Sequence, residues 1–132
     1  MTLLLDTNVY SAIGRGHPKV VELVRGAEAL LISAVAVGEL LGGFRRGSRC
    51  NENLADLRRF LDQPRTRLVP VAWTTADRYG RIYTALREKG TPIPTNDMWI
   101  AAHALETGAD LVSFDPHFRH VDGLAWINPD HR

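Results

Sequence analysis

The sequence predicts an α/β fold in which a mostly parallel sheet of about five strands lies between helices on both faces. Three observations carry this expectation. The strand candidates are short, continuous apolar runs, the pattern of strands covered on both faces. They alternate along the chain with segments of helical periodicity. The chain has 132 residues, of which 45% are apolar, a size that fits a single domain over residues 1–132 able to bury a core without disulfides or structural zinc.

Leu3, Leu4 and Leu5 form the first strand, which ends at Asp6. Residues 7–13 read as a helix closed by Gly14 and Gly16. Pro18 opens a second helix carrying Val20, Val21, Leu23 and Val24. Residues 29–32 form the next strand, and Ser33 is placed to cap a helix that runs to about Phe44 and stops near Gly47. Residues 53–61 are periodic and helical. Residues 68–71 make a short strand limited by Pro70. A long helix over 75–89 ends at Gly90, and Thr95 caps another over 96–107 that ends at Gly108. Residues 111–114 and 124–127 complete the strands. No repeat, low-complexity tract or linker interrupts this order.

Composition excludes several classes. The charged fraction is 23% and the net charge +1, which does not fit a disordered chain. No apolar run approaches the ~18–20 residues that span a bilayer. The start, Met1-Thr2-Leu3-Leu4-Leu5-Asp6, lacks the basic region of a signal peptide. Cys50 is the single cysteine, so no internal disulfide or cysteine-rich metal site exists. These features are those of a cytoplasmic protein without a membrane partner. Fourteen of the sixteen basic residues are Arg, whose planar fork suits phosphate. Residues 45–67 hold Arg45, Arg46, Arg49, Arg58, Arg59, Arg65 and Arg67 against Glu52, Asp56 and Asp62, an excess of four positive charges. Such a cluster is either a solvated helical surface or a footprint for a phosphate backbone.

In parallel α/β sheets, ligands bind beyond the carboxyl ends of the strands. Asp6 and Asp115 each stand just past a strand. Each also has a bland reading, Asp6 as a helix N-cap and Asp115 as a turn residue before Pro116. Asp97 shares a helix face with Ile100, Ala101, Ala104 and Gly108. A carboxylate above a buried stripe needs compensation, from the helix N-terminus or from a cation. Glu39 lies opposite the apolar stripe of Val37, Leu40, Leu41 and Phe44, either as a solvent-facing residue or beside a space left by Gly42 and Gly43. Four carboxylates without a His or Cys ligand cluster point to a hard cation such as Mg²⁺ or Mn²⁺. Such a site suits hydrolysis of a phosphodiester by metal-activated water.

Four segments, Leu3-Leu4-Leu5-Asp6-Thr7-Asn8, Ser33-Ala34-Val35-Ala36-Val37-Gly38-Glu39-Leu40, Ile93-Pro94-Thr95-Asn96-Asp97-Met98-Trp99-Ile100-Ala101-Ala102 and Leu111-Val112-Ser113-Phe114-Asp115, together resemble the PIN-domain ribonucleases. Among these, the VapC-like toxins of bacterial toxin–antitoxin pairs are the most similar. The resemblance covers essentially the whole chain and implies a three-layer α/β/α fold. It implies a Mg²⁺- or Mn²⁺-dependent endoribonuclease, a homodimer, and inhibition by a small cognate antitoxin. Carried over by position, Asp6, Glu39, Asp97 and Asp115 match the acidic site, with Asp6 and Asp97 as direct metal ligands. Thr7, Asn8 and Ser113 match small polar residues that orient those carboxylates. Many relatives have a further Asp two positions beyond the equivalent of Asp115. Here that position is His117, read as a surface histidine, and the acidic set for a second metal is one group short.

Trp73, Trp99 and Trp126 read as core or dimer-interface residues, Trp99 as interface. Phe44 adds to the apolar surface expected of a dimer, and Cys50 reads as a free surface or half-buried thiol. Competing readings fail on particular residues. A haloacid-dehalogenase-type phosphatase wants a second Asp where Asn8 stands, and a phospho-acceptor receiver domain wants a Lys after its last strand, whereas none follows Lys89. The remaining alternative is a catalytically inactive PIN-like module that binds RNA or protein.

Overall fold

A computed structural model describes residues 1–131. Its elements are β1 (Thr2–Leu5), α1 (Thr7–Gly14), α2 (Pro18–Gly26), β2 (Ala29–Ser33), α3 (Ala34–Arg46), α4 (Cys50–Leu61), β3 (Thr66–Val69), α5 (Trp73–Lys89), α6 (Thr95–Thr107), β4 (Asp110–Val112), a short 3-10 helix (Pro116–His120) and β5 (Trp126–Ile127). The five strands form one parallel sheet in the order β3-β2-β1-β4-β5.

Strand alternation divides the core in two. Leu3, Leu5, Leu30 and Val112 cluster with Val9 and Ala12 of α1 and Val20 of α2. Leu4, Leu31 and Leu111 cluster with Ala36, Val37 and Leu40 of α3, Leu86 of α5, and Ile100, Ala101 and Ala104 of α6. Leu3, Leu4 and Leu5 are completely buried, which is why this strand reads as an unbroken apolar run. The three-layer arrangement expected of the family follows from these two faces. No helix among the described residues is long and apolar enough to cross a membrane.

Several boundaries move for identifiable reasons. α4 begins at Cys50 rather than residue 53, because Asn53 N–H already reaches Arg49 O (3.0 Å). β3 covers residues 66–69 rather than 68–71: Pro70 offers no N–H, and Thr66 and Arg67 pair with Leu30 and Leu31. α5 starts at Trp73 because Thr75 Oγ1 accepts the Ala72 N–H (3.0 Å). Thr95 lies inside α6 rather than capping it, since Pro94 holds the cap position. β4 and β5 are shorter than read, and Phe114 leaves the sheet to lie against His17.

The aromatic expectations also sort out. Trp73 is 86% exposed, so it is not a core residue. Trp99 stacks on Tyr79 with centroids 4.1 Å apart, and Phe44 packs on the core, so both are used largely within the chain. Trp126 donates its ring N–H to Ser113 O (3.0 Å). Cys50 is free and half-buried.

A buried polar link joins the carboxyl ends of β2 and β3 to α6. Ser33 and His103 are both fully buried. His103 Nε2 lies 3.0 Å from Pro70 O, which can only accept, so Nε2 carries the proton. Nδ1 therefore accepts from Ser33 O–H (2.9 Å), while Ser33 Oγ accepts the Val35 N–H (3.0 Å) and caps α3. Ser33→Ala removes the cap and leaves Nδ1 buried without a donor. Urea denaturation should show a loss of about 2–3 kcal/mol; an unchanged midpoint would show that this link carries no stability.

Candidate active site

The order of strands places the site. After β1 the chain builds outward through β2 to β3, then returns to the other side of β1 to add β4. The crevice at the carboxyl ends of β1 and β4 is therefore the point where the winding reverses. Leu5 pairs with Val112, so the next residues on the two strands, Asp6 and Ser113, emerge side by side.

Asp6 is only 5% exposed. Its Oδ2 accepts from Ser113 Oγ (2.6 Å), and its Oδ1 accepts the Thr7 N–H (2.8 Å) as the N-cap of α1. The cap reading and the site reading hold together. Burial pushes the Asp6 carboxyl above the usual carboxylate range, against the bonds from Ser113 and Thr7, and the charges of Glu39 and Asp115 add to the rise.

Asp97 sits in the first turn of α6, above the buried Ile100, Ala101 and Ala104. Burial raises its carboxyl to about 6; the hydrogen bond from His117 opposes the shift, and the charges of Asp115 and Asp6 reinforce it. Asp115 caps the 3-10 helix by accepting the His117 N–H at Oδ1 (2.9 Å), and its own N–H donates to Ser113 Oγ (3.0 Å). Ser113 thus serves two carboxylates, donating to one side chain and fixing the backbone of the other.

Glu39 is exposed, but it is tied to the group by Thr7 Oγ1, which donates to Glu39 Oε1 (2.9 Å). The structure brings the four carboxylates into electrostatic contact, and Thr7 and Ser113 are bonded to them. Asn8 is different. Its Oδ1 is buried without a partner, and among the described residues its Nδ2, the atom that could orient a carboxylate, donates to none of the four.

His117 is a surface residue, as the sequence reading has it, but its ring is engaged: Nδ1 lies 3.1 Å from Asp97 Oδ2 and 2.9 Å from Asp115 Oδ1. Asp97, Asp115 and His117 each present one ligand atom, all within 4.8 Å of one another. Among the described residues, no Lys or Arg pairs with any of the four carboxylates. An oxygen-rich, mutually repelling donor set with this lack of cationic partners fits a hard divalent cation.

The structure shows which arginines of the basic segment carry its excess charge. Arg49 pairs with Glu52 and Arg59 with Asp56. Arg65 donates to the carbonyls of Val24 (2.7 Å) and Ala27 (2.8 Å), a structural use. Arg45, Arg46, Arg58 and Arg67 are left exposed.

The family model for the PIN domain matches residues 3–124. Ribonuclease VapC2 of Rickettsia felis is 29% identical to the chain, with 98% of this chain and 99% of that protein covered. Ribonuclease VapC1 of Haemophilus influenzae is also 29% identical, with 96% of each covered. Among solved structures, VapBC2 from Rickettsia felis bound to a DNA fragment from its promoter superposes with a TM-score of 0.84 at 27% identity, over 97% of this chain and 98% of that one.

The raised Asp97 carboxyl has a stability consequence in the presence of a chelator. Its folded value of about 6 exceeds the ordinary 3.8, so between these values the native state holds a proton that the unfolded state has released. Stability from this group therefore falls as pH rises from about 4 to about 6. Asp97→Asn should match the parent near pH 4 and exceed it by about 1–2 kcal/mol at pH 7, after discounting for solvent screening. Urea titrations across this range check the point, and a difference independent of pH would contradict it.

Proposed function

The chain belongs to the PIN-domain family, and from that premise we propose that it is a divalent-metal-dependent endoribonuclease acting as the toxin of a toxin–antitoxin pair. The observation that carries this reading is the convergence of Asp6, Glu39, Asp97 and Asp115 from four separate segments, with no Lys or Arg to neutralise them among the described residues. Its similarity to proteins named ribonuclease VapC supports the activity, and its similarity to a VapBC structure supports the partner.

Asp6 and Asp97 would hold Mg²⁺ or Mn²⁺, with Asp115 and Glu39 completing the acidic set. Bound there, the cation would supply activation of water and offset charge on the phosphate being cut. The chain's own residues do the rest. Ser113 O–H and Thr7 N–H hold both Asp6 oxygens in one rotamer. Thr7 O–H fixes Glu39 Oε1 and leaves Oε2 to take a proton or a ligand. Burial of Asp6 and Asp97 lowers the local dielectric, so that each carboxylate acts more strongly on a cation than it would in water. The exposed Arg45, Arg46, Arg58 and Arg67 are available for weak, sequence-independent attraction to the RNA backbone.

The same negative pocket suits a protein inhibitor carrying a basic residue. The cognate antitoxin would lay its C-terminal segment in the groove of about 610 Å³ between α1, α3 and α4, lined by Tyr10, Ile13, Phe44, Asn53 and Phe60. A basic side chain would then reach toward Asp6 and Asp97. We also propose a homodimer, with Trp73 as the exposed apolar residue that argues for it.

Asp6→Asn and Asp97→Asn should each reduce RNA cleavage at least about a hundredfold while leaving the fold intact, because an amide is a poorer ligand and removes a charge. Cleavage retained by either variant at saturating Mg²⁺ would remove that residue from the site. Absence of cleavage by the parent at every Mg²⁺ and Mn²⁺ concentration would favour the inactive binding module. Inhibition by the antitoxin should weaken as Mg²⁺ rises, since both compete for the same carboxylates. Inhibition insensitive to Mg²⁺ would place the antitoxin elsewhere.

A further inference from the structure

His117 is exposed, yet its ring contacts two members of the acidic group, Asp97 and Asp115. Asp115 Oδ1 accepts the His117 N–H, which draws residue 117 back over its own cap. The ring then turns so that a single atom, Nδ1, meets both Asp115 Oδ1 and Asp97 Oδ2, at 2.9 and 3.1 Å. The other histidines with ring contacts are engaged elsewhere, His17 with Asp130 and His103 with Ser33 and Pro70.

The geometry matches a coordination shell. Neighbouring ligands around an octahedral ion at about 2.1 Å are separated by about 3.0 Å, the edge of the octahedron. The two distances from Nδ1 equal such an edge within about 0.1 Å. The Nδ1–H donates to Asp97 Oδ2; a cation bound between these groups would displace that proton, as metal binding to imidazole does, and with the remaining ring proton on Nε2 the Nδ1 lone pair would face the space shared by the two carboxylates. The three atoms, all within 4.8 Å of one another, would then close on one ion with little movement.

We propose that His117 is a nitrogen ligand of the cation held with Asp97 and Asp115, and that this mixed nitrogen–oxygen centre prefers Mn²⁺ to Mg²⁺. The proposal rests on the metal-dependent reading above and specifies its ion. Imidazole suits borderline transition ions, whereas Mg²⁺ is served by oxygen ligands and water. A neutral ring also gives the site one negative charge fewer than a carboxylate at position 117 would. That weakens attraction for every divalent cation, and the nitrogen donor restores affinity only for the ions that favour it.

Pulsed electron paramagnetic resonance of the full chain loaded with Mn²⁺ tests the ligand directly. The spectrum should show coupling to one directly bound ¹⁴N, and labelling the histidines with ¹⁵N should shift it. His117→Asp should retain Mn²⁺ binding but lose the coupling. Its preference for Mn²⁺ over Mg²⁺, from Mn²⁺ titration with Mg²⁺ competition, should fall roughly tenfold. Saturable Mn²⁺ binding without nitrogen coupling, or coupling that survives in His117→Asp, would overturn the ligand role while leaving a metal site in place. A parent chain that is folded by circular dichroism yet binds no Mn²⁺ would overturn the metal-dependent reading as well.

Discussion

Carboxylates that repel one another are held together here by a scaffold that does not yield. The short bond from Ser113 to Asp6 spans two parallel strands whose neighbours are buried on both faces. Neither strand can shift by one residue without turning its leucines and valine onto the wrong layer. Asp6 therefore cannot retreat from Asp115; burial first, and the neighbouring carboxylates in addition, make Asp6 and Asp97 hold their protons more tightly than free carboxyl groups do. Sites of this kind exchange some stability for readiness to bind positive charge.

The placement of Asp97 depends on a different set of contacts. α6 is anchored along its length by residues remote from the site. Trp99 stacks on Tyr79 of α5, Glu106 accepts from Thr74 and Thr75 at the start of α5, and His103 ties the helix to Ser33 and Pro70. The buried histidine links the cap of α3, the helix that carries Glu39, to the helix that carries Asp97. Two of the four acidic residues thus take their positions from one fully buried side chain that lies outside the acidic site.

Thr7 and Ser113 show how few atoms are needed to orient four charges. Thr7 uses its backbone for Asp6 and its hydroxyl for Glu39. Ser113 donates to Asp6 and accepts from the Asp115 backbone. The basic segment of residues 45–67 shows the opposite economy: three of its seven arginines are consumed by local ion pairs or by carbonyl groups. The net count of four matches the four arginines left exposed, but which four they are depends on side-chain reach within and between helices.

The sequence by itself determined the layer architecture and the residue types of the site. Apolar runs and helical periodicity are local properties, and Asp6 and Asp115 declare themselves by following strands. Ser33 as a cap was equally readable, since its role involves only the next two residues. Boundaries were less so: β3 slid by two residues because its pairing with β2, not its own apolarity, decides where a strand lies. Convergence belonged to the tertiary structure. Asp6 and Ser113 are 107 positions apart, and only the insertion of β4 beside β1 makes them neighbours. His117 reads as a surface residue, which it is, but nothing in an Asp-Pro-His turn states which way its ring will face. Its direction follows from the Asp115 cap and from the arrival of Asp97 on α6, a contact between segments that meet only when the sheet and its helical layers have formed.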